Sequence, residues 1–409
     1  MIEQSAERLF AGEVTRALRM RFEAGEFPQA LWQTVADQGL TLALATEAAG
    51  GIAAPWADAY PILRGIGHWQ VPLPLAETMI AGQLLSMAGI QIPDGPIALI
   101  EPDLAGELVL SHSAAGQRLT GQAQRVAWAS ACGWALVSLP APGPSATSAT
   151  SATSATSATS AKPGTSATAG SGRILLVDLR DAASVHISAQ RNPANEPCEE
   201  VALHGAPVRA QAANPLPALH RPVRTLGAIA SSVMMVGAME WLLAQSVQYA
   251  QDRVQFGRPI GKNQAIQQQL ALLAGDVAAA RVAALVACAD APDVACTGCP
   301  ATVFSAAVAK VRCGEAATRA AAIAHQVHGA IGFSQEHALH FATRRLWAWR
   351  EAHGADAWWA QQLGEAAIRA GSAGFWPALT DRHFAGLDLR PTPRPIPSTP
   401  EPTQNARPH

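Results

Sequence analysis

A long helical pattern that ends abruptly in a turn rich in glycine and proline constrains the fold of this chain most strongly. Apolar residues recur at helical spacing between Leu226 and Asp252. They include Ile229, Val233, Val236, Leu243 and Val247. The pattern stops at Gly257, Pro259 and Gly261, residue types that end helices and turn the chain. The stretch YAQDRVQFGRPIGKNQ therefore predicts a long helix followed by a tight turn.

The side chains at this turn are suited to binding a nucleotide cofactor. Arg253 offers fixed donors for a phosphate, Gln255 can bind polar edges, and Phe256 presents an aromatic face to a planar ring. A second stretch, HQVHGAIGF, is similar in kind. There Gln326 ends a helical pattern, and Gly329 lets the backbone approach a ligand closely. We interpret the two stretches as halves of one cofactor site.

The two stretches resemble the turns of the acyl-CoA dehydrogenase flavoproteins. In that family an Arg-x-x-Phe-Gly turn and a Gln-x-x-Gly-Gly turn bind the ADP half of FAD across a subunit interface. Arg253 to Gly257 match the first turn, and Gln326 to Ala330 match the second, with Ala330 replacing the last glycine. The resemblance assigns the FAD contacts to Arg253, Gln255, Phe256, Gln326 and Gly329. It also implies an acyl-CoA substrate, a homo- or hetero-oligomer, and an electron-transfer flavoprotein or similar acceptor.

Composition excludes several other classes of protein. The net charge of −2, without a Lys/Arg-rich stripe, gives no electrostatic basis for binding nucleic acid. The N-terminal residues MIEQSAERLF contain no apolar run typical of a signal peptide. The apolar stretch from Leu226 to Ala244 contains Glu240, which favours a buried bundle helix over a membrane span. We expect a cytoplasmic protein.

The hydrophobic period changes twice along the chain and predicts the domain organisation. The first residues read as helices, the middle as short strands between turns, and the rest as long Ala-rich helices. The predicted fold is mainly α with a small central β domain. It comprises a helical domain (1–95), a β-barrel-like middle (96–221), a C-terminal four-helix bundle (222–372) and a disordered Pro-rich tail (373–409). Within the bundle, helices are expected at about 224–252, 263–289, 301–328 and 336–371.

A Ser-Ala-Thr repeat interrupts the predicted β domain. The repeat and its flanks, residues 143–172, contain no large apolar side chain to bury. They predict a disordered insertion between two strands, because long surface loops add little to the entropy of loop closure.

The positions of the family's catalytic base hold other residues here. The family places a Glu directly before a Gly downstream of the second turn, where this chain has His353 and Gly354. A second base position, used by some members on the first bundle helix, falls near Gly227. Of the family's flavin loop only Glu101, Pro102 and a Gly remain, and its Ser is missing. These departures weaken the catalytic prediction more than the cofactor prediction.

Three residues could replace the missing base. Glu351 supplies a carboxylate, His353 titrates near neutrality, and Glu240 lies on the apolar first helix. We predict Glu351 as the base and His353 as the second candidate. Each has a structural alternative: Glu351 could pair with Arg350 or Arg345, His353 could cap a helix, and Glu240 could be solvated.

Two patterns invite a metal site, and neither is predicted to form one. Four histidines fall in pairs three residues apart, and Cys296 lies three residues before Cys299. The histidines are His325, His328, His337 and His340. They lack an accompanying set of carboxylates, and the cysteine pair has no second pair. Helix-terminal contacts and a loop with two thiols are the preferred interpretations.

Two functions follow from the resemblance. The first is an FAD-dependent acyl-CoA dehydrogenase that introduces an α,β double bond, in fatty acid or steroid side-chain catabolism. The second is a catalytically silent subunit that completes the FAD site of a paralogous partner. The retained half-site around Arg253 and Gln326, beside the altered base positions, is compatible with the second function.

Overall fold

The structure is a computed structural model that describes residues 2–103, 107–113, 116–141, 172–387 and 389. Apart from Gly172, the Ser-Ala-Thr insertion predicted for 143–172 lies outside the described residues. So do residue 388 and residues 390–409 of the predicted tail.

Five α-helices lie among the described residues of the N-terminal part of the chain. They are α1 (Ile2–Glu13), α2 (Arg16–Glu23), α3 (Gln29–Asp37), α4 (Trp56–Trp69) and α5 (Leu75–Met87). The Thr15 hydroxyl caps α2 by accepting a hydrogen bond from the Leu18 amide at 3.2 Å. Pro55 and Pro74 directly precede α4 and α5, and the left-handed Gln70 ends α4. The apolar faces of these helices pack into one core with the C-terminal helices.

The described residues in the middle of the chain form a seven-stranded sheet. Its strands are β1 (Ile97–Ile100), β2 (Leu108–Ser113), β3 (Gly116–Ala127), β4 (Trp134–Leu139), β5 (Arg173–Asp178), β6 (Val185–Ser188) and β7 (Cys198–Ala213). The order is β1-β4-β5-β7-β3-β2, and β6 also pairs with β7. Among the strands described, β1 and β4 pair in parallel and the other pairs are antiparallel. Alternate residues of the sheet bury a second apolar core.

Five further α-helices lie in the C-terminal part of the chain, within the described range 172–387. They are α6 (Pro222–Asp252), α7 (Gln264–Ala289), α8 (Thr302–His328), α9 (Leu339–Glu351) and α10 (Asp356–Thr380). Helix α6 is central and packs against α4, α7, α8 and α9. A Cβ at Gly67 would lie 1.8 Å from the Met234 carbonyl oxygen, and one at Gly237 would lie 2.0 Å from that of Arg64. The close crossing of α4 and α6 therefore requires both glycines.

The predicted fold class is confirmed, with one helix corrected. The single helix expected over 336–371 is two helices, because the chain turns between Glu351 and Asp356. His353 (φ 56°) and Gly354 (φ 95°) adopt left-handed backbone conformations that an α-helix cannot contain. Glu351 and His353 therefore do not share a helix, contrary to the sequence interpretation.

The predicted start of the disordered tail, at residue 373, lies too close to the N-terminus. Helix α10 is kinked at Gly371 (φ 67°, ψ 173°), and helical structure then continues to Thr380, beyond the expected boundary at 373. Arg382 then pairs with Asp290 at 2.8 Å, and the buried Phe384 ring lies 5.6 Å from that of Phe304. These contacts order the chain as far as Leu387, because they bury an aromatic ring that composition alone had assigned to a tail.

Among the described residues, two helices are long and apolar enough to cross a membrane. The most apolar 18-residue window of α6 is 83% buried, as expected for the central helix of a bundle. Helix α7 leaves most of its apolar window exposed. Its exposed apolar side chains include Leu272 and Val282. Such a face on a surface helix is typical of a contact with a partner.

Candidate active site

A cleft of about 740 Å³ lies where the sheet meets the C-terminal helices. The loop after β1, strand β3, the first turns of α5 and α6, and the turn between α9 and α10 form its walls. The charged or titratable side chains that line it include Glu77, Glu101, Arg125, Arg224, Glu351 and His353. The structure thus brings both predicted base candidates to one cleft.

Glu351 is the last residue of α9 and is exposed at the wall of the cleft. Neither of its predicted pairings forms. Arg350 pairs instead with Asp356 at 3.0 Å, and the buried Arg345 pairs with Glu196 at 3.0 Å. No ion pair between described residues includes Glu351. Its carboxylate is therefore free to face a ligand in the cleft.

His353 occupies the turn that follows α9. Its ring lies against Gly227, where an added Cβ would be 2.3 Å from Nδ1. Burial, with smaller contributions from Lys310 and Arg224, lowers the pKa of His353 to about 3. The imidazole is therefore neutral at physiological pH and is a weak base. The backbone carbonyl, rather than the ring, makes the structural contact, by accepting a hydrogen bond from Trp359 Nε1 at 3.1 Å.

Glu240 does not face the cleft. Its carboxylate accepts a hydrogen bond from Arg64 Nε at 2.5 Å and lies 3.7 Å from Arg281. The hypothesis of a buried base at this position is wrong, because the side chain joins α6 to α4 and α7 through these cations. The sequence could not show this, since Arg64 lies 176 positions away.

Glu101 has a structural role that sequence reasoning missed. Its carboxylate accepts hydrogen bonds from the amides of Val223 (3.3 Å) and Arg224 (2.9 Å), at the start of α6. Burial raises the pKa of Glu101, which Arg221 partly opposes. Arg221 also donates to the Pro102 carbonyl at 2.7 Å. The loop after β1 is thereby tied to the bundle. The Pro at the first position of α6 was the signal that a helix begins there.

The predicted cofactor residues form a second, separate surface. Arg253 ends α6, and the following residues form a short hairpin of β8 (Val254–Gln255) and β9 (Arg258–Pro259). Phe256 lies at its tip with left-handed backbone (φ 52°), and its side chain is fully exposed. Arg253 and Gln255 are also exposed. None of these side chains lines the cleft.

The second predicted half of the cofactor site, around Gln326, lies next to this hairpin. Tyr249 of α6 stacks on His328 of α8, with ring centroids 4.5 Å apart. Tyr249 lies one helical turn before Arg253, and Gln326 lies two residues before His328. Gln326 is exposed near the end of α8, and Gly329 follows with φ 61° and ψ −142°. The two predicted halves therefore lie at adjacent helix ends.

The histidines near these helix ends stack on aromatic rings. His325 lies 4.4 Å from the Phe333 ring, and His328 lies 4.7 Å from His337 as well as against Tyr249. Burial lowers the pKa of His325, His328, His337 and His340. Within the described ranges, no group of three or more His, Cys, Asp and Glu residues is placed to hold a metal ion.

Comparison with known proteins identifies the fold. The chain matches the complex of ChsE4 and ChsE5 from Mycobacterium tuberculosis with a TM-score of 0.73 and 21% identity, over 90% of this chain and 96% of that chain. It matches a structure described as PigA with FAD and proline with a TM-score of 0.68 and 15% identity, over 92% and 97% of the two chains. These similarities define an acyl-CoA dehydrogenase fold.

Sequence comparison shows similarity to the same class of proteins. Residues 225–368 match the acyl-CoA dehydrogenase C-terminal domain. The acyl-CoA dehydrogenase IpdE2 of Mycobacterium tuberculosis is 40% identical over 118 residues, which are 29% of this chain and 34% of that protein. The acyl-CoA dehydrogenase FadE27 of the same organism is 25% identical over 331 residues, which are 77% and 81% of the two chains. The C-terminal part of the chain is therefore similar to the acyl-CoA dehydrogenases. The IpdE2 alignment, however, spans only about a third of that relative.

Proposed function

We propose that this protein is a subunit of an FAD-dependent acyl-CoA dehydrogenase that introduces a double bond between the α and β carbons of an acyl-CoA thioester. The observation that carries the proposal is the cleft between the sheet and the C-terminal helices, to which Glu351 and His353 both contribute. The names of the relatives support the same reaction class. The substrates we propose belong to fatty acid or steroid side-chain catabolism, with a cytoplasmic location and an electron-transfer flavoprotein or similar acceptor.

The exposed hairpin fits the ADP half of FAD. No ion pair between described residues includes Arg253, so its guanidinium is free to bind a pyrophosphate with two parallel hydrogen bonds. Phe256 presents an uncovered aromatic face, and Gln255, Gln326 and Gly329 surround the same helix ends. Because the cleft lies elsewhere, these residues would serve an FAD molecule whose flavin ring lies in a second subunit. Bound FAD supplies the hydride acceptor of the reaction.

Glu351 is the proposed catalytic base. A carboxylate at the cleft wall can take the α-proton of a bound thioester, and it matches the chemistry of the family. His353 is the second candidate, but its depressed pKa leaves little tendency to take a proton at neutral pH.

A silent partner subunit is the second candidate function. One observation favours it: at the two base positions of the family, Gly227 lacks a side chain and His353 fills the space beside it. The exposed cofactor hairpin and the apolar face of α7 would then complete and contact a paralogous subunit. An exposed apolar helix face of this kind is compatible with oligomer formation in both functions.

Purification of the protein alone, and again after co-expression with a paralogous chain, distinguishes the two functions. If the chain alone shows flavin absorbance and oxidises an acyl-CoA with an artificial electron acceptor, it is a complete enzyme and the silent-subunit proposal fails. If flavin and activity require the paralogue, the partner role is supported. If neither preparation binds flavin, the proposed function is wrong in both forms.

A further inference from the structure

Glu77 is a cleft carboxyl that the proposed dehydrogenation does not use. It lies in the first turn of α5 and is partly buried. It lines the large cleft and also an adjoining cavity of about 20 Å³. Met234, Trp349 and His353 line both cavities as well. Glu77 therefore lies at the junction of the cleft with a small pocket.

The walls of this small pocket are mostly apolar. Its remaining lining includes Ala76, Ile80, Gly227, Ala230 and Ala352. Ser231 contributes a hydroxyl group to the lining, and its side chain donates to the Ala228 carbonyl at 3.2 Å. The pocket thus places hydrocarbon walls beside the Glu77 carboxyl, in a space about the size of one water molecule.

The Glu77 carboxyl has few partners in its own chain. Among the described residues its side chain takes part in no ion pair and has no hydrogen-bond partner in another residue. Burial, with a smaller contribution from the charge of Glu196, raises the pKa of Glu77 to about 7. Near neutral pH the carboxyl is therefore present in both forms, and it can donate as well as accept a hydrogen bond.

A partly buried carboxyl without a partner destabilises a fold, and such groups concentrate at functional sites. We propose that Glu77 hydrogen-bonds a neutral oxygen on the acyl group, so that the substrates are hydroxyacyl or ketoacyl thioesters rather than saturated fatty acyl thioesters. This inference rests on the proposed function, because it assigns the acyl group to the cleft. An acyl group that ends in a carboxylate is disfavoured, since the charged form of Glu77 would repel it.

Binding of matched ligands to the purified protein, with any subunit that co-purifies, tests this inference. Isothermal titration calorimetry compares hexanoyl-CoA with its 4-, 5- and 6-hydroxy derivatives. We expect at least one hydroxylated thioester to bind about tenfold more tightly, as one added hydrogen bond to a partly charged group allows. Glu77→Leu should remove this preference and Glu77→Gln should retain most of it, because an amide can donate and accept.

A surface substitution of the same kind serves as the control. Glu47→Leu makes the same chemical change at an exposed position of the N-terminal part and should leave the preference unchanged. Thermal unfolding of each variant establishes that folded protein is measured, and Glu77→Ala replaces Glu77→Leu should the latter not fold. Equal binding of all four thioesters, or a preference that survives in Glu77→Leu, would overturn the inference but not the proposed function. Failure to bind any thioester would overturn the proposed function itself.

Discussion

The imidazole ring of His353 fills the space that a side chain at Gly227 would occupy. A Cβ built at Gly227 would lie 2.3 Å from Nδ1 and 2.4 Å from Cγ of His353. The two positions at which the family can hold its base are therefore coupled in this chain, because a side chain at one excludes the observed ring position at the other. This contact links α6 to the turn that follows Glu351, the proposed base.

We expect Gly227→Ala to destabilise the protein by about 1–3 kcal/mol, because the new methyl group would overlap the His353 ring. In the double variant Gly227→Ala/His353→Ala the effect of the alanine at position 227 should largely disappear. Urea unfolding of the two single variants and the double variant measures the interaction between the sites.

Gly275→Ala on α7 is the control for this prediction. Gly275 has no neighbouring atom within 4 Å of an added Cβ. The alanine there should stabilise the helix by about 0.5–1 kcal/mol, because alanine restricts the unfolded chain more than glycine does. If Gly227→Ala behaves like Gly275→Ala, the His353 ring does not occupy the described position.

Arg253→Ala should lower the flavin content of the protein, or of its complex with a paralogue. Arg253→Lys should also lower it, because a lysine cannot make the two parallel hydrogen bonds of a guanidinium. The ratio of flavin to protein absorbance after purification gives the measurement. Arg8→Ala, at an exposed position of α1, should leave this ratio unchanged. An unaltered flavin content in Arg253→Ala would show that the cofactor assignment is wrong.

Glu351→Gln should reduce turnover roughly 100-fold or more if Glu351 is the base, since a missing general base has effects of this size. The effect of His353→Ala should be smaller, because the low pKa of His353 makes it a poor proton acceptor. An assay with an artificial electron acceptor, with and without a paralogous subunit, measures both variants. Glu13→Gln on the surface of α1 is the matched control. Full activity in both variants would favour the silent-subunit function.

Glu77→Gln should become more stable than the unmodified protein as pH rises. The pKa of Glu77 is about 7 in the folded protein, against an ordinary value of 4.5. The folded state therefore binds its proton more tightly, and the stability from Glu77 is present below about pH 4.5 and is lost as pH rises through about 7. Between pH 4.5 and pH 8 the variant should gain about 1–3 kcal/mol relative to the unmodified protein.

Chemical denaturation at these two pH values measures the free energies of unfolding. The lowered pKa of His353 gives the free energy of unfolding a pH dependence of the opposite sign. This contribution is common to both proteins and cancels in the difference. A difference between the proteins that does not change with pH would mean that the pKa of Glu77 is not raised by burial.

The sequence predicted the architecture well where local chemistry decides it. The end of α6 at Arg253 and the start of α7 near Asn263 follow from glycine, proline and a capping side chain within a few residues. The Asn263 side chain, for example, accepts a hydrogen bond from the Ala265 amide at 3.0 Å. The prediction failed at the α9–α10 turn, because the periodicity of WREAHG does not reveal a left-handed residue at His353.

The sequence by itself thus determined the mainly helical fold, the turn with Arg253 and Phe256, and the presence of His353 where the family has a glutamate. Only the tertiary structure decided that His353 lies against Gly227, that Glu240 is held by Arg64, and that Glu77 reaches the cleft. The physical reason is the separation in sequence of the residues that interact. Helix ends depend on neighbouring residues, whereas burial and pairing of a side chain depend on packing between elements far apart in the chain.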